Sequence, residues 1–198
     1  GDDANGAGIY QADGALEVSG NAVIADNRAA NSGGGIYVAA GSATIAGNAV
    51  VAGNAASEGD AVGDKANEHA PSYDGGGIYV AKAAALTMEG EAVVSGNVAR
   101  RDGGGIYVEP QPKNSLLARN RLVITGGTIT NNRSHALKTG GFYVSGGGGI
   151  FSMGDTSIDG AVITSNWSED AGGGLCMPGE DKYQMPLLAM TNTVVAAN

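Results

Sequence analysis

A short phrase, GGGIYV or a close variant, returns along the chain, and each return follows a hydrophobic-x-x-Asn signature. Full copies lie at 33–38, 75–80 and 103–108, and drifted copies at 6–10, 147–151 and 172–177. The signature runs Ile24…Asn27, Val51…Asn54, Val94…Asn97, Ile129…Asn132, Ile163…Asn166 and Val195…Asn198. Such self-similarity marks a solenoid, so one short unit accounts for most of the chain. Where no extra segment intervenes, equivalent residues are 27 (Ile9 to Ile36), 28 (Ile78 to Ile106) or 25 (Ile150 to Leu175) positions apart. Within one unit three short segments alternate with period two, as in Ile36-Tyr37-Val38, Ala43-Thr44-Ile45 and Val50-Val51. Each is too short for an ordinary helix, and every interior glycine would cost a helix about 1 kcal/mol. Three strands and three corners fit the spacing. The pattern predicts an all-β chain, a single domain over 1–198 folded as a right-handed parallel β-helix with three strands per coil and about six coils.

Aligned units give the expected interior. Ile9, Ile36, Ile78, Ile106, Ile150 and Leu175 form one column, and Ile24, Val51, Val94, Ile129, Ile163 and Val195 another. Between them lie pairs such as Ala43 with Ile45, Leu86 with Met88, Leu122 with Ile124 and Thr156 with Ile158. Burial of each aliphatic is worth roughly 1.5–3 kcal/mol. Asn27, Asn54, Asn97, Asn132, Asn166 and Asn198 are expected to form a structural ladder at a corner, their amides bonding to the next unit and tolerating left-handed backbone.

Composition narrows the function classes. The 35 glycines lack an every-third-residue period, which excludes collagen, and sit at fixed places that indicate turn chemistry. At 42% hydrophobic, the chain has material for a core. A formal charge of −9 with interspersed signs argues against nucleic acid and against an anionic membrane surface. No apolar run approaches membrane-spanning length, so direct membrane insertion is not expected. The one cysteine, Cys176, excludes an internal disulfide framework and occupies a slot held by tyrosine in other units. The chain opens on Gly1-Asp2-Asp3-Ala4 without signal-peptide features and ends on Asn198, as expected of whole repeats excised from a longer protein.

These motifs carry a resemblance. The pairing of GG(G/A)I with hydrophobic-x-x-Asn resembles the repeats of chlamydial polymorphic outer-membrane proteins. It is also similar to the GGTITNN…GGGIY repeats of large surface proteins from gut bacteria, which residues 126–132 match almost letter for letter. The resemblance covers nearly all of the chain outside four insertions. It implies a right-handed parallel β-helix, an extracellular or bacterial cell-surface location and an adhesin-like role with a host or bacterial glycan or surface protein as partner. Cys176 and Phe151 depart from the pattern, and neither a membrane barrel nor a wall anchor is recognisable.

Strand alternation points Tyr10, Tyr37, Tyr79, Tyr107 and Phe151 outward as an aromatic stripe, the candidate ligand-binding surface. Val23, Val50, Val93, Thr128, Val162 and Val194 are expected outward on the third segment, with too few threonines for a regular Thr-x-Thr face. Insertions at 55–74, 109–121, 133–146 and 178–187 are the expected carriers of recognition. The first holds Glu58, Asp60, Asp64, Glu68, His69 and Asp74, without EF-hand or zinc spacing, so neither a metal nor a cofactor is expected. An inverting glycosidase needs carboxyls roughly 6.5–9.5 Å apart. The second-segment outward slot reads Glu17, Thr44, Thr87, Val123, Ser157 and Ala189, and no slot is expected to stack acids on neighbouring units. Ser134-His135 has no evident acid partner, so a triad is not expected. No catalytic residue is assigned. The residues favour a non-enzymatic adhesin-like module. The alternative is a carbohydrate-active enzyme, a lyase or hydrolase, with acids from the insertions.

Overall fold

The computed structural model describes residues 5–56, 73–111, 121–135, 144–179, 183 and 185–198. Among them every regular element is a strand, and every strand pairing is parallel. Three sheets result, each built by stacking the same segment of successive units.

The first sheet orders Ile9–Gln11, Ile36–Val38, Ile78–Val80, Ile106–Val108, Ile150–Ser152 and Leu175–Cys176. Its register sets Ile36 against Ile9 and Ile78, and Ile150 against Ile106 and Leu175. The longer spacings of 42 positions (Ile36 to Ile78) and 44 (Ile106 to Ile150) therefore do not disturb the stacking. Equivalent aliphatics lie over one another, and Ile36, Ile78, Ile106 and Ile150 are all essentially inaccessible to solvent. Together with Leu86, Met88, Leu122, Ile124, Val51, Val94, Ile129 and Ile163 they make a single apolar interior. In the 155–159 strand Thr156 takes an inward slot, and its Oγ1 donates to Ser152 Oγ at 2.9 Å, so the hydroxyl is satisfied within the interior.

The second sheet departs from the expectation of two separate columns. Ala84–Ser95 and Arg121–Thr130 each run continuously through the second and third segments, and the ladder between them slips between Gly90 and Val93. Gly126 and Gly127 have φ of 118° and 81°, so the chain bends at the expected corner without losing its pairing. A third sheet arises instead from dipeptides after the Asn corner: Arg28–Ala29, Ala55–Ala56, Val98–Ala99, Arg133–Ser134 and Trp167–Ser168. Ala55–Ala56 and Arg133–Ser134 are thus part of the repeat, and the inserted segments begin after them. Residues 57–72, 112–120 and 136–143, and 180–182 with 184, lie outside the described residues.

The asparagines explain the signature. In each unit the Asn side chain donates from Nδ2 to Oδ1 of the next unit's Asn: 2.9 Å for Asn27 to Asn54, 3.0 Å for Asn54 to Asn97, 2.9 Å for Asn97 to Asn132, 2.9 Å for Asn132 to Asn166 and 3.0 Å for Asn166 to Asn198. The same Oδ1 also accepts the preceding unit's Asn backbone N–H, as in Asn97 N–H to Asn132 Oδ1 at 3.0 Å. The second Nδ2 proton reaches back to the carbonyl of the preceding unit's signature aliphatic, as in Asn97 to Val51 O and Asn132 to Val94 O, both at 2.9 Å. The left-handed residue is the one before the Asn, not the Asn itself: Asp26, Gly53, Gly96, Asn131, Ser165 and Ala197 all have φ between 51° and 64°.

The glycine triplet is the other half of this contact. In 103–105 the first glycine has φ of 62°. A Cβ on the second would meet the Arg133 backbone at 2.5 Å, and on the third it would lie 3.0 Å from Asn132 Cγ and 2.6 Å from Gly149 O. Three glycines are required for three separate reasons.

Asn97→Ala is expected to cost about 3 kcal/mol in chemical denaturation, because it orphans two buried donors of Asn54 and removes its own two bonds. Val162→Thr, on the exposed face of another unit, should stay within about 0.5 kcal/mol. Equal effects at the two positions would refute the ladder's role.

Candidate functional site

Three features carry chemistry: the aromatic column on the first sheet, a buried ion cluster at the corner leading into it, and a cationic aromatic patch on the third sheet.

The aromatic column is continuous. Ring centroids are 5.4 Å apart for Tyr10–Tyr37, 4.7 Å for Tyr37–Tyr79, 5.0 Å for Tyr79–Tyr107 and 5.3 Å for Tyr107–Phe151, with planes within 18° of parallel. At such separations each inner ring gives both faces to its neighbours, so no sugar ring can lie on them. Exposure also differs from a uniform stripe. Tyr79, Tyr107 and Phe151 are buried, packed with Ala81, Met153 and Cys176 and flanked by Tyr183. Tyr10 is 56% exposed and Tyr37 is half-buried, so the accessible surface contracts to these two residues. Burial, with Glu109 and Tyr10 adding to it, pushes the Tyr37 hydroxyl up to about 12. It therefore remains a neutral donor at physiological pH. Glu109 is held beside the column by Lys82, whose Nζ lies 3.0 Å from Oε1. Cys176 pairs with Phe151 across the sheet, and burial raises its thiol to about 11, which leaves it protonated and unreactive.

The ion cluster overturns the expectation that no slot stacks acids. Asp74 and Asp102 each precede a glycine triplet in adjacent units, and both are fully buried. Arg101 Nε donates to Asp74 Oδ1 at 2.9 Å, its terminal Nη2 pairs with Asp74 Oδ2, and Nε lies 3.4 Å from Asp102 Oδ2. Asp74 Oδ1 also accepts the Asp102 N–H at 3.1 Å, and Asp102 Oδ1 accepts the Gly146 N–H at 2.7 Å. With Ser32 Oγ accepting the Asp74 N–H at 3.2 Å, these side chains form a second corner ladder. Such carboxylates are structural acceptors with no route to a substrate. Burial pushes the Asp74 carboxyl up against the pull of Arg101. It also pushes Asp102 up to about 6, opposed by the Gly146 N–H, Arg101 and Ser145 and assisted by Asp170. Asp74 reads in sequence as the end of an acidic insertion. Its equivalence to Asp102, one residue before GGGIY, was the available signal.

On the third sheet Trp167 is 43% exposed, and the Arg133 guanidinium lies over its ring at 4.2 Å from the centroid. His135 does have an acid partner: its Nδ1 is 3.0 Å from Glu169 Oε1. Ser134, however, is buried and bonds Ser168 Oγ at 3.0 Å, pointing to the opposite face from His135, so no triad forms. Trp167 carries no repeat signal and was not legible as a site residue. An open depression of about 570 Å³ on the second sheet is walled by Arg121, Asp155, Thr156, Ser157 and Leu187–Ala189, without a convergent set of acid–base groups. Among the described residues no cluster of His, Cys, Asp or Glu suits a metal ion, and no helix is long and apolar enough to cross a membrane. The acidic residues 58–69 lie outside the described residues.

Comparison with protein-family models, with curated proteins and with solved structures found no match.

Because Asp102 is harder to ionise when folded, the unfolded chain, near the ordinary value of about 3.9, releases its proton first as pH rises. Its contribution to stability is therefore greatest below pH ~4 and falls as pH rises toward about 6. Asp102→Asn should be at least as stable as the parent at pH 7.5 and show a flatter melting-temperature profile between pH 4 and 6.5. Parallel profiles for the two proteins would contradict the assignment.

Proposed function

We propose that this chain is a right-handed parallel β-helix of about six coils, belonging to a bacterial cell-surface or secreted protein, and that it serves as a non-enzymatic, adhesin-like module. The support lies in how its polar groups are used. The asparagines and the paired aspartates, which on another scaffold would be catalytic candidates, are committed to bonds between units. What remains outward is a rigid surface bearing aromatic and polar tips. Its mechanism is presentation: parallel ladders hold those tips in fixed register, which lowers the entropy lost when a ligand docks.

The observation that carries the ligand reading is the open end of the tyrosine column, where Tyr10 is 56% exposed and stacked at 10° on Tyr37. An amphipathic ring with a hydroxyl at its tip suits a glycan of the host or of another bacterium, giving apolar contact to a sugar face and a hydrogen bond to its hydroxyls. Further along the same sheet, Glu109, whose charge reaches Tyr37, and its partner Lys82 supply polar groups.

A glycan array probed with the parent protein and with Tyr10→Ala and Tyr37→Ala tests this. Saturable binding without product release, reduced about tenfold or more in Tyr10→Ala, is the expected result, corresponding to loss of about 1.4 kcal/mol. Release of shortened oligosaccharides would establish the enzyme instead, and array binding indifferent to both substitutions would remove the tyrosines from the site.

A further inference from the structure

We propose that Arg133, His135, Trp167 and Glu169 form a second subsite, on the outer face of the third sheet, for an acidic saccharide: a sugar ring bearing a carboxylate or sulfate. The inference deepens the glycan reading and rests on it, but uses a different sheet and different residues from the tyrosine column.

Local structure fixes the geometry. Arg133 and Trp167 pair directly in adjacent parallel strands, so their side chains leave the same face one strand spacing apart. Backbone bonds from Arg133 N–H to Asn97 O at 2.8 Å and from Trp167 N–H to Asn132 O at 2.9 Å tie both residues to the asparagine corner. The Ser134–Ser168 hydroxyl contact locks the same two strands from the inner side. Two residues further on, His135 and Glu169 pair at 3.0 Å, and the imidazole meets the indole edge-on with centroids 6.3 Å apart. The four side chains therefore occupy one two-by-two patch.

Its chemistry is selective. In a chain of net charge −9, the Arg133 guanidinium has no carboxylate partner among the described residues, because Glu169 turns to His135. Its contact is the indole face, which leaves the N–H fork open. Guanidinium is weakly hydrated, stacks on aromatics, and binds planar or tetrahedral oxyanions through two N–H groups at once. Trp167 adds apolar surface and an indole N–H donor beside it. The Glu169 carboxylate accepts from sugar hydroxyls on the far side and disfavours a bare anion lacking them. A ring with one anionic substituent and several hydroxyls satisfies all four groups. At the equivalent outward slot the other units carry Arg28, Ala55 and Val98, so the aromatic–cation pair occurs once. Arg28 lies three strand spacings along the same column, about 14 Å away. An extended anionic chain lying across the strands would reach it.

Trp167 is the only tryptophan, so its emission reports this patch alone. The whole chain is titrated with oligogalacturonate (carboxylate), with a sulfated heparin-derived oligosaccharide and with a neutral cello-oligosaccharide, at fixed ionic strength. A saturable emission change with one or both anionic series, a Kd of ~1 mM or tighter, and at least tenfold weakening in Arg133→Ala are expected. Arg133→Lys, which keeps the charge but not the fork, should recover only part of the loss. The carboxylate and sulfate arms identify the anionic group. No saturable change with either anionic series, an equal change with the neutral one, or indifference to Arg133→Ala would overturn the proposal. Arg133 is exposed, and a circular dichroism spectrum unchanged in the variant assigns any loss to binding. Tyr10→Ala should leave this titration unaltered. Loss of array binding in Tyr10→Ala with an intact Trp167 response, or the reverse, therefore separates failure of this subsite from failure of the tyrosine reading.

Discussion

One interlocking contact governs the molecule: an asparagine amide that bonds in both directions along the stack, seated against a glycine that has no side chain. An amide with two donors and one carbonyl can be satisfied at an interior corner only if another amide sits one strand spacing above and the signature carbonyl one spacing below. That requirement fixes register to the residue. A slip by one position would leave a buried donor unpaired in every unit and turn the aliphatic columns outward. The glycine facing the asparagine is the steric counterpart, since a Cβ at Gly105 would press on Asn132 and on the Gly149 carbonyl. The two motifs of the sequence are thus the two sides of one joint. The joint also explains why inserted segments are tolerated. The two that follow the corner, after Ala56 and after His135, are spanned with the isoleucine column unbroken at the next glycine triplet.

Identical residues placed one strand spacing apart also decide what the outer surface offers. On the first sheet the spacing brings aromatic rings into mutual contact and uses up their faces. Stacking that stabilises the sheet therefore withdraws the ring faces from ligands, leaving only the outer face of Tyr10 and the half-buried edge of Tyr37. At the next corner it brings two aspartates together, and the fold resolves their repulsion by inserting Arg101 and by donating the Gly146 N–H. A repeated letter is in general the wrong place to look for catalysis in such an architecture: neighbours of the same kind satisfy each other first.

That rule accounts for what could be read from the sequence. The aliphatic columns and the asparagines were legible because their periodicity is the direct consequence of stacking. The division of the second sheet was misread because Gly90-Glu91 and Gly126-Gly127 look like corners. Only the hydrogen bonds of neighbouring strands decide whether a glycine bend interrupts a ladder. The third sheet was missed because its strands are dipeptides, too short to display alternation, and Ala55–Ala56 and Arg133–Ser134 merged with the insertions that follow. The exposure of the aromatic stripe was overestimated because alternation gives the direction of a side chain but not what packs over it. Met153 fills the slot that Ala39, Ala81 and Glu109 hold in other units, and Tyr183 comes from the last insertion. Glu169 was not recognised as the partner of His135 because the two are 34 residues apart and adjacent only through strand pairing.

The acidic-saccharide subsite proposed above belongs to letters that break the repeat. A position freed from ladder duty can differ from unit to unit without cost to register, and the first residue of the third sheet is such a position: Arg28, Ala55, Val98, Arg133, Trp167. Its backbone is fully bonded to the neighbouring units while its side chain faces outward, so the scaffold tolerates an alanine or a tryptophan there equally well. Rigid backbone with free choice of side chain is the condition under which a binding surface can diversify. The joint of asparagine and glycine contributes to that freedom, because it holds the register from the inner side and asks nothing of the residues on the outer face.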